Sequence, residues 1–390
     1  MQIKVPAAFM RGGTSRAVFF KEGALAPYDR RIQELIILAA LGSPDPYGRQ
    51  IDGLGGGISS LSKVAIIGPG DDPDTDVRFT FGQVDVERPM VDFMGTCGNI
   101  SAAVGPFALD EGLVAAVEPV TAVRVLATNT GKRYIAYVPV RDGQAEAEGD
   151  YTIDGVPGPG ARIALEFLDP GGSLGGGVLP SGHAAETLTL ESGKHITVSM
   201  VDAAAPMVFV RADEVGARAT ESPQALDAER SLQELLEEIR SQAAVQLGLA
   251  DSVTHARERV KAIPKIAMVA PPSQYRTTKD TLIGADQADL VARMISMGKT
   301  HRTFAGTSSM CLAVAAALPG TVVNAVARQA MPERVRIGHP AGIMEVGTKV
   351  KAHGDDWQVE SVTTQRTARR IMDGMIYVPQ SYLQGKPWFA

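Results

Sequence analysis

The chain is short of cysteine, of clustered positive charge and of long apolar runs, and each shortage excludes a class of function. Only two cysteines occur, Cys97 and Cys311, far apart in sequence. That is neither a disulfide framework nor a zinc or iron–sulfur spacing, and it suits a reducing compartment. None of the six histidines falls four residues from another or beside a second plausible ligand, so no metal is expected. The formal charge is −6 and no local basic block offsets it, which argues against a nucleic-acid surface. No apolar stretch reaches the roughly 18 residues that a membrane span needs. The N-terminal MQIKVPAAFMRGG lacks the basic start and long apolar segment of a signal peptide. Neither GxxxxGK[ST] nor a glycine-rich strand-to-helix turn with a following acidic residue is found, so no nucleotide is expected. The reading is a cytoplasmic protein without cofactor that binds neither nucleic acid nor membrane.

What is present is an ordinary soluble composition, 45% apolar and 21% charged, on 390 residues. That length is long for one hydrophobic core, so two domains are expected. Alternating β-branched and aromatic residues mark strands at IKVPAAFM, AVFF, SKVAIIG, VRFTFGQVDV, VRVLATN and RYIAYVPV. A helix is expected over Asp29–Leu41, stopped by Gly42-Ser43-Pro44. The stretch Gly171–Gly177 is short of structure and places a domain boundary near Ser181. The expected domains are therefore 1–182, completed by 373–390, and 183–372. The second contains strands KHITVSMVD, MVFVRA and KIAMVAPP and a charged helix around Ser231–Gly248. Strands and helices are mixed without regular βαβ alternation, which favours an α+β fold over a doubly wound sheet.

One pattern recurs in the two halves. Thr96-Cys97-Gly98-Asn99-Ile100-Ser101 leads into Ala102-Ala103-Val104, and Ala305-Gly306-Thr307-Ser308-Ser309 leads into Cys311-Leu312-Ala313-Val314. In each, glycine and small polar residues precede a segment apolar on nearly every side, and a helix of that kind must be buried. Asn99, Ser101, Thr307 or Ser308 could cap it. The first N–H groups of such a helix lack partners and carry partial positive charge, which suits a carboxylate. Two ordinary capped core helices without a ligand are the alternative.

Four places could carry chemistry. A cysteine at a helix N-terminus can have its thiol pKa lowered from about 8.5 into a range of about 3.5–7.5, which singles out Cys97; a small buried hydrophobe is the plainer reading. Lys63 follows Ser59-Ser60-Leu61-Ser62 and opens an apolar strand, where burial would lower its pKa toward that of a base. More often a lysine so placed reaches out to solvent. In Arg11-Gly12-Gly13-Thr14-Ser15-Arg16 the glycines permit close backbone approach and Arg11 could clamp a carboxylate. A tight strand connection is the alternative there. His339, in Gly338-His339-Pro340-Ala341-Gly342, is a site histidine or a turn histidine.

These residues also carry a family resemblance. Met10-Arg11-Gly12-Gly13-Thr14-Ser15, Gly42-Ser43-Pro44-Asp45, Arg49-Gln50-Ile51-Asp52-Gly53, Ser62-Lys63-Val64 and Cys97-Gly98-Asn99-Ile100-Ser101 resemble the PrpF family. So do Gly306-Thr307, Gly338-His339-Pro340-Ala341-Gly342 and Arg366-Thr367-Ala368-Arg369-Arg370-Ile371-Met372, and the matches run in order along essentially the whole chain. The resemblance implies two pseudo-symmetric α+β domains of the diaminopimelate epimerase type. Each would be a curved sheet around a central buried helix, with the active site in the cleft between the domains. It implies a cofactor-independent isomerase of a small unsaturated di- or tricarboxylate such as 2-methylaconitate, aconitate, methylitaconate or oxalomesaconate. Lys63 and Cys97 match the proposed acid–base residues. Substrate contacts are expected from Arg11, Gly12, Gly13, Thr14, Ser15, Ser62, Gly98, Asn99, Gly306, Thr307, Ser308 and His339.

Removing an allylic proton from such an acid gives a dienolate, and returning it at another carbon moves the double bond. Racemases of this fold use two facing cysteines; Ala305 stands where the second would be, which weighs against a racemase. A polycarboxylate-binding or accessory protein without chemistry would not need Lys63 and Cys97 together. Arg16 and Gly55-Gly56-Gly57-Ile58-Ser59-Ser60 depart from the family pattern, which leaves the particular substrate open. A homodimer is the ordinary expectation for such an enzyme.

Overall fold

The structure, a computed structural model, describes residues 1–296, 298–354 and 356–383. The chain forms two compact units, one of Met1–Leu165 with the segment from Gln365 onward and one of Glu166–Thr364. The boundaries expected from sequence were 182/183 and 372/373.

In the first unit, β1 (Gln2–Gly12) and β2 (Ser15–Lys21) form an antiparallel hairpin. α1 (Arg30–Leu41) then crosses to β3 (Lys63–Pro69), which lies parallel to β2. β4 (Val77–Val84) returns antiparallel to β3. The second helix, α2 (Ser101–Asp110), crosses to β5 (Val120–Ala127), which is parallel to β4, and β6 (Lys132–Arg141) closes as its antiparallel partner. The C-terminal strand, Ala368–Pro379, pairs with the outer edge of β1.

α2 is buried from Ser101 through Leu109 and packs against β1, β6 and the C-terminal strand, strands drawn from both ends of the sheet. The sheet therefore curls around it. Phe107 meets Phe19 of β2 with ring centroids 5.3 Å apart. α1 covers the other face through Ile36, Ile37 and Leu41, against Val5, Phe9, Val18, Phe20 and Val64. Its ends are those the sequence signals: Asp29 accepts from the Ile32 N–H at 2.9 Å, and Gly42 stops the helix with φ of 72°.

The second unit repeats this plan. β7 (His195–Ala203) and β8 (Ala205–Arg211) form a hairpin, and α3 (Arg230–Gln246) lies between β8 and the parallel β9 (Lys265–Ala270). β10 (Leu290–Ser296) is antiparallel to β9; α4 (Gly306–Ala317) precedes β11 (Arg334–His339), which is parallel to β10, and β12 (Gly342–His353) is antiparallel to β11. All twelve residues of α4 are buried. Each unit thus holds two crossovers between parallel strands, which the sequence reading did not resolve because antiparallel returns separate them. The architecture is the expected α+β pair of sheets wrapped on buried helices.

The repeat extends to single bonds. The Ser101 N–H donates to the Cys97 carbonyl at 2.9 Å, and the Ser309 N–H donates to the Ala305 carbonyl at 2.8 Å. Cys97 and Ala305 therefore hold the same position ahead of their helices. Lys63 and Lys265 each open the strand that runs parallel to the second strand of its unit's hairpin. Among the described residues no helix is long and apolar enough to cross a membrane.

Candidate active site

Lys63 is the anomalous residue of the first unit, a lysine side chain only 7% exposed at the head of an apolar strand. Register puts Gln83 of β4 opposite it. The Lys63 Nζ donates to Gln83 Oε1 at 2.5 Å and lies 5.1 Å from the centre of the Phe81 ring. Among the described residues no carboxylate forms an ion pair with it. Burial therefore pushes the ammonium below the usual lysine range, partly offset by the nearby Cys97 sulfur.

The segment leading into Lys63 is held by two side-chain amides. Gln83 Nε2 donates to the carbonyls of Ser59 and Ser62, at 3.0 and 2.8 Å. Gln50 Nε2 donates to Ser43 Oγ at 2.7 Å and to Ser62 Oγ at 2.6 Å, and its Oε1 accepts from the Gly57 N–H at 3.0 Å. Asp45 in turn accepts from the N–H groups of Tyr47, Arg49 and Gln50. The expected site residue Ser62 is thus a buried anchor whose side chain accepts from Gln50.

Cys97 is partly exposed and unpaired, directly before the Gly98–Ile100 turn that enters α2. Neither α2 nor α4 has a side-chain cap, contrary to the caps expected from Asn99, Ser101, Thr307 or Ser308. Asn99 instead belongs to a tertiary contact. Its Nδ2 donates to Thr14 Oγ1 at 3.1 Å, and its Oδ1 accepts from Arg366 Nε at 3.2 Å.

The hairpin turn between β1 and β2 lies against this asparagine. A Cβ on Gly12 would be 2.4 Å from the Asn99 carbonyl oxygen, and one on Gly13 would be 2.2 Å from Asn99 Oδ1. Gly13 also has φ of +50°. Ser15, next along the turn, is buried.

Strand alternation sends Arg11 to the sheet face opposite the one on which Gly12 meets Asn99. Its Nη1 donates to the carbonyls of Gly13 and Thr367, at 3.0 and 2.9 Å. Arg11 braces the turn from behind. Burial and the neighbouring Arg369 both lower its pKa.

Arg366 and Gln83 were not singled out by sequence. Arg366 is 4% exposed, and burial brings its guanidinium pKa down to about 10. It lay inside a quoted motif but is far from Asn99 in sequence. Gln83 could have been found only by knowing the β3–β4 register.

In the second unit, Gly306, Thr307 and Ser308 form the buried first turn of α4, behind the extended Ala305. Ser308 Oγ has no hydrogen-bond partner among the described residues. His339 is buried at the end of β11, and its Nδ1 accepts from the Ala341 N–H at 3.2 Å. Among the described residues no group of three histidine, cysteine, aspartate or glutamate side chains could hold a metal. A surface depression lined by Ser43, Asp45, Asp52 and Tyr382 lies at the C-terminal end of α1 and includes neither Lys63 nor Cys97.

The two thiols differ in a way that can be measured. Cys311 is fully buried, donates to the Val201 carbonyl at 3.3 Å, and is pushed far above the ordinary thiol range by burial. Iodoacetamide on the native protein is expected to label Cys97 well before Cys311, read by peptide mass spectrometry. Equal labelling rates would contradict that burial.

Comparison with known proteins bears on this arrangement. The family model described as PrpF protein matches residues 2–379. The 3-methylitaconate isomerase of Eubacterium barkeri is 46% identical, over 98% of this chain and 99% of the relative. The 2-methyl-aconitate isomerase of Shewanella oneidensis is 38% identical, over 97% of this chain and 98% of the relative. The crystal structure of a methylitaconate-delta-isomerase superposes with a TM-score of 0.82 at 43% identity, covering 100% of this chain and 99% of that one. A hydroxyproline epimerase from Agrobacterium vitis shares the fold alone, with a TM-score of 0.54 at 12% identity over 96% of this chain and 92% of its own.

Proposed function

The chain belongs to the PrpF family and is an isomerase, and we propose that it moves an allylic proton, and with it a C=C bond, on a small unsaturated di- or tricarboxylate. The observation that carries this reading is Lys63, a lysine buried at the head of an apolar strand where desolvation disfavours the charged ammonium, with the Cys97 sulfur near it. The two relatives named for 3-methylitaconate and 2-methyl-aconitate support acids of that kind as substrates.

In the proposed reaction the neutral Lys63 amine takes the proton allylic to the alkene. The C–H pair enters the conjugated system, and the negative charge spreads onto the carboxylate oxygens. The N–H groups of the Gly98–Ile100 turn stabilise that charge as it forms. Asn99, fixed by Arg366 and Thr14, keeps the turn in place. A proton is then delivered to another carbon, either from the Lys63 ammonium itself or from the Cys97 thiol, whose thiolate then regains a proton from Lys63, leaving the shifted alkene and the starting protonation states. Rotation in the delocalised intermediate gives cis–trans exchange. Within the second unit, Gly306, Thr307 and Ser308 form a helix-entry turn of the kind whose N–H groups bind an anion. Arg11 supports the hairpin turn.

A racemase using two thiols is disfavoured because Ala305 holds the position of Cys97 in the second unit. A binding role without chemistry is disfavoured by the isomerase relatives over the full chain length.

The test is proton NMR of 3-methylitaconate, 2-methylaconitate, trans-aconitate and oxalomesaconate incubated with protein dialysed against a chelator. At least one acid is expected to show new alkene or methyl resonances, at a rate unchanged by the dialysis. Folded protein that isomerises none of the four would overturn the reading.

A further inference from the structure

We propose that Gln83 is a positioning residue that aims the Lys63 lone pair by taking one of its N–H bonds. The inference rests on the proposed role of Lys63 as base. Gln83 Nε2 faces two carbonyls, those of Ser59 and Ser62. Both require a donor, so the amide cannot be turned over and Oε1 must face Lys63. An amide oxygen only accepts. A neutral amine in front of it therefore presents an N–H, and its lone pair points elsewhere.

The uncharged character of Gln83 matters as much as its direction. A carboxylate at that position would hold Lys63 as the ammonium, which cannot act as a base. Of the titratable groups on neighbouring strands, Asp92 stands opposite Gln83 on the short strand Val91–Asp92, where its carboxylate accepts from the Met94 N–H at 2.8 Å. β4 presents the Gln83 amide and the Phe81 ring to Nζ, the carbonyls of Ser59 and Ser62 hold that amide, and the Cys97 sulfur is near enough to act on the Lys63 charge. On the neighbouring β2, Lys21 pairs with Glu111 instead. The same amide also ties the incoming segment to β4, so loss of the side chain frees Lys63 in both position and rotation.

The experiment is a pair of kcat–pH profiles on the full chain. Gln83→Met, close in volume, is expected to lower kcat about 10–100-fold with KM changed by less than about threefold. Gln83→Glu is expected to move the acid limb of kcat upward by about one pH unit or more, with turnover recovering at alkaline pH. A glutamine that only tied down Ser59 and Ser62, without contact to the base, would not move that limb. An unshifted limb in folded Gln83→Glu, or wild-type kcat in Gln83→Met, would overturn the proposal. Lys63→Arg, measured alongside, separates the two claims. If it retains wild-type turnover, the base assignment fails; if it is inactive while the Gln83→Glu limb is unmoved, only the Gln83 inference fails.

Discussion

Lys63→Met is expected to lower turnover by about 10²–10⁴-fold, the usual contribution of a positioned general base, with the fold retained. Methionine fills most of the lysine volume in a pocket formed by Phe81, Gln83 and the Ser59–Ser62 segment. The wild-type profile carries the same information, since the active form is the neutral amine. Turnover should rise with pH along a limb whose midpoint lies below the ordinary lysine value of 10.5.

Stability follows the same proton. The folded-state pKa lies below that of the unfolded chain, so between the two values the unfolded chain binds more protons and stability increases with pH. The burial penalty is complete below the folded pKa and is relieved as pH rises from there toward about 10.4. Wild type should therefore gain on Lys63→Met in Tm as pH is raised from neutral. A constant Tm difference would mean that Lys63 is not buried as the charged group's penalty requires.

Gly12→Ala should be strongly damaging to both fold and turnover. Its Cβ would stand 2.4 Å from the Asn99 carbonyl oxygen, a backbone atom that cannot rotate away. The hairpin turn or the Gly98–Ile100 turn must shift, at a cost of about 1–3 kcal/mol. In a domain of this size that lowers Tm by roughly 2–4 °C for each kcal/mol. Displacement of the turn beside Cys97 by even about 1 Å can also cost around 10²-fold in turnover. Gly23→Ala is the control, because its Cβ would meet nothing within 4 Å. Equal melting temperature and activity for the two variants would contradict the contact between the hairpin and Asn99.

Much of this arrangement was legible in the sequence because it depends on local rules. Asp29 and Gly42 announce the ends of α1, and the uninterrupted apolar character of the segments after Ser101 and Ser308 requires burial on every side. The recurrence of that pattern in the second half indicated the internal repeat. Lys63 stood out because it opens an apolar strand, and Cys97 because small residues and a helix follow it.

What the sequence concealed depends on register and on long returns of the chain. Gln83 faces Lys63 through strand pairing that a single strand does not reveal. Arg366 reaches Asn99 only when the C-terminal strand returns to β1. Arg11 reads as a free cation until the Gly13 carbonyl of the hairpin turn and the Thr367 carbonyl of the returning C-terminal chain meet its Nη1. The expected side-chain caps fail in the first unit because Asn99 and Ser101 have other partners: Thr14 and Arg366 for the first, the Cys97 carbonyl for the second.

The most direct measurement is solvent deuterium incorporation during turnover. The wild-type chain and Lys63→Met would be incubated in D₂O with 3-methylitaconate, or with whichever acid the NMR screen shows to react fastest, and stopped well short of equilibrium. Proton transfer through Lys63 predicts deuterium at the allylic carbon of the wild-type product and neither exchange nor conversion in the variant. Conversion that retains protium at both carbons, and that persists undiminished in Lys63→Met, would contradict it.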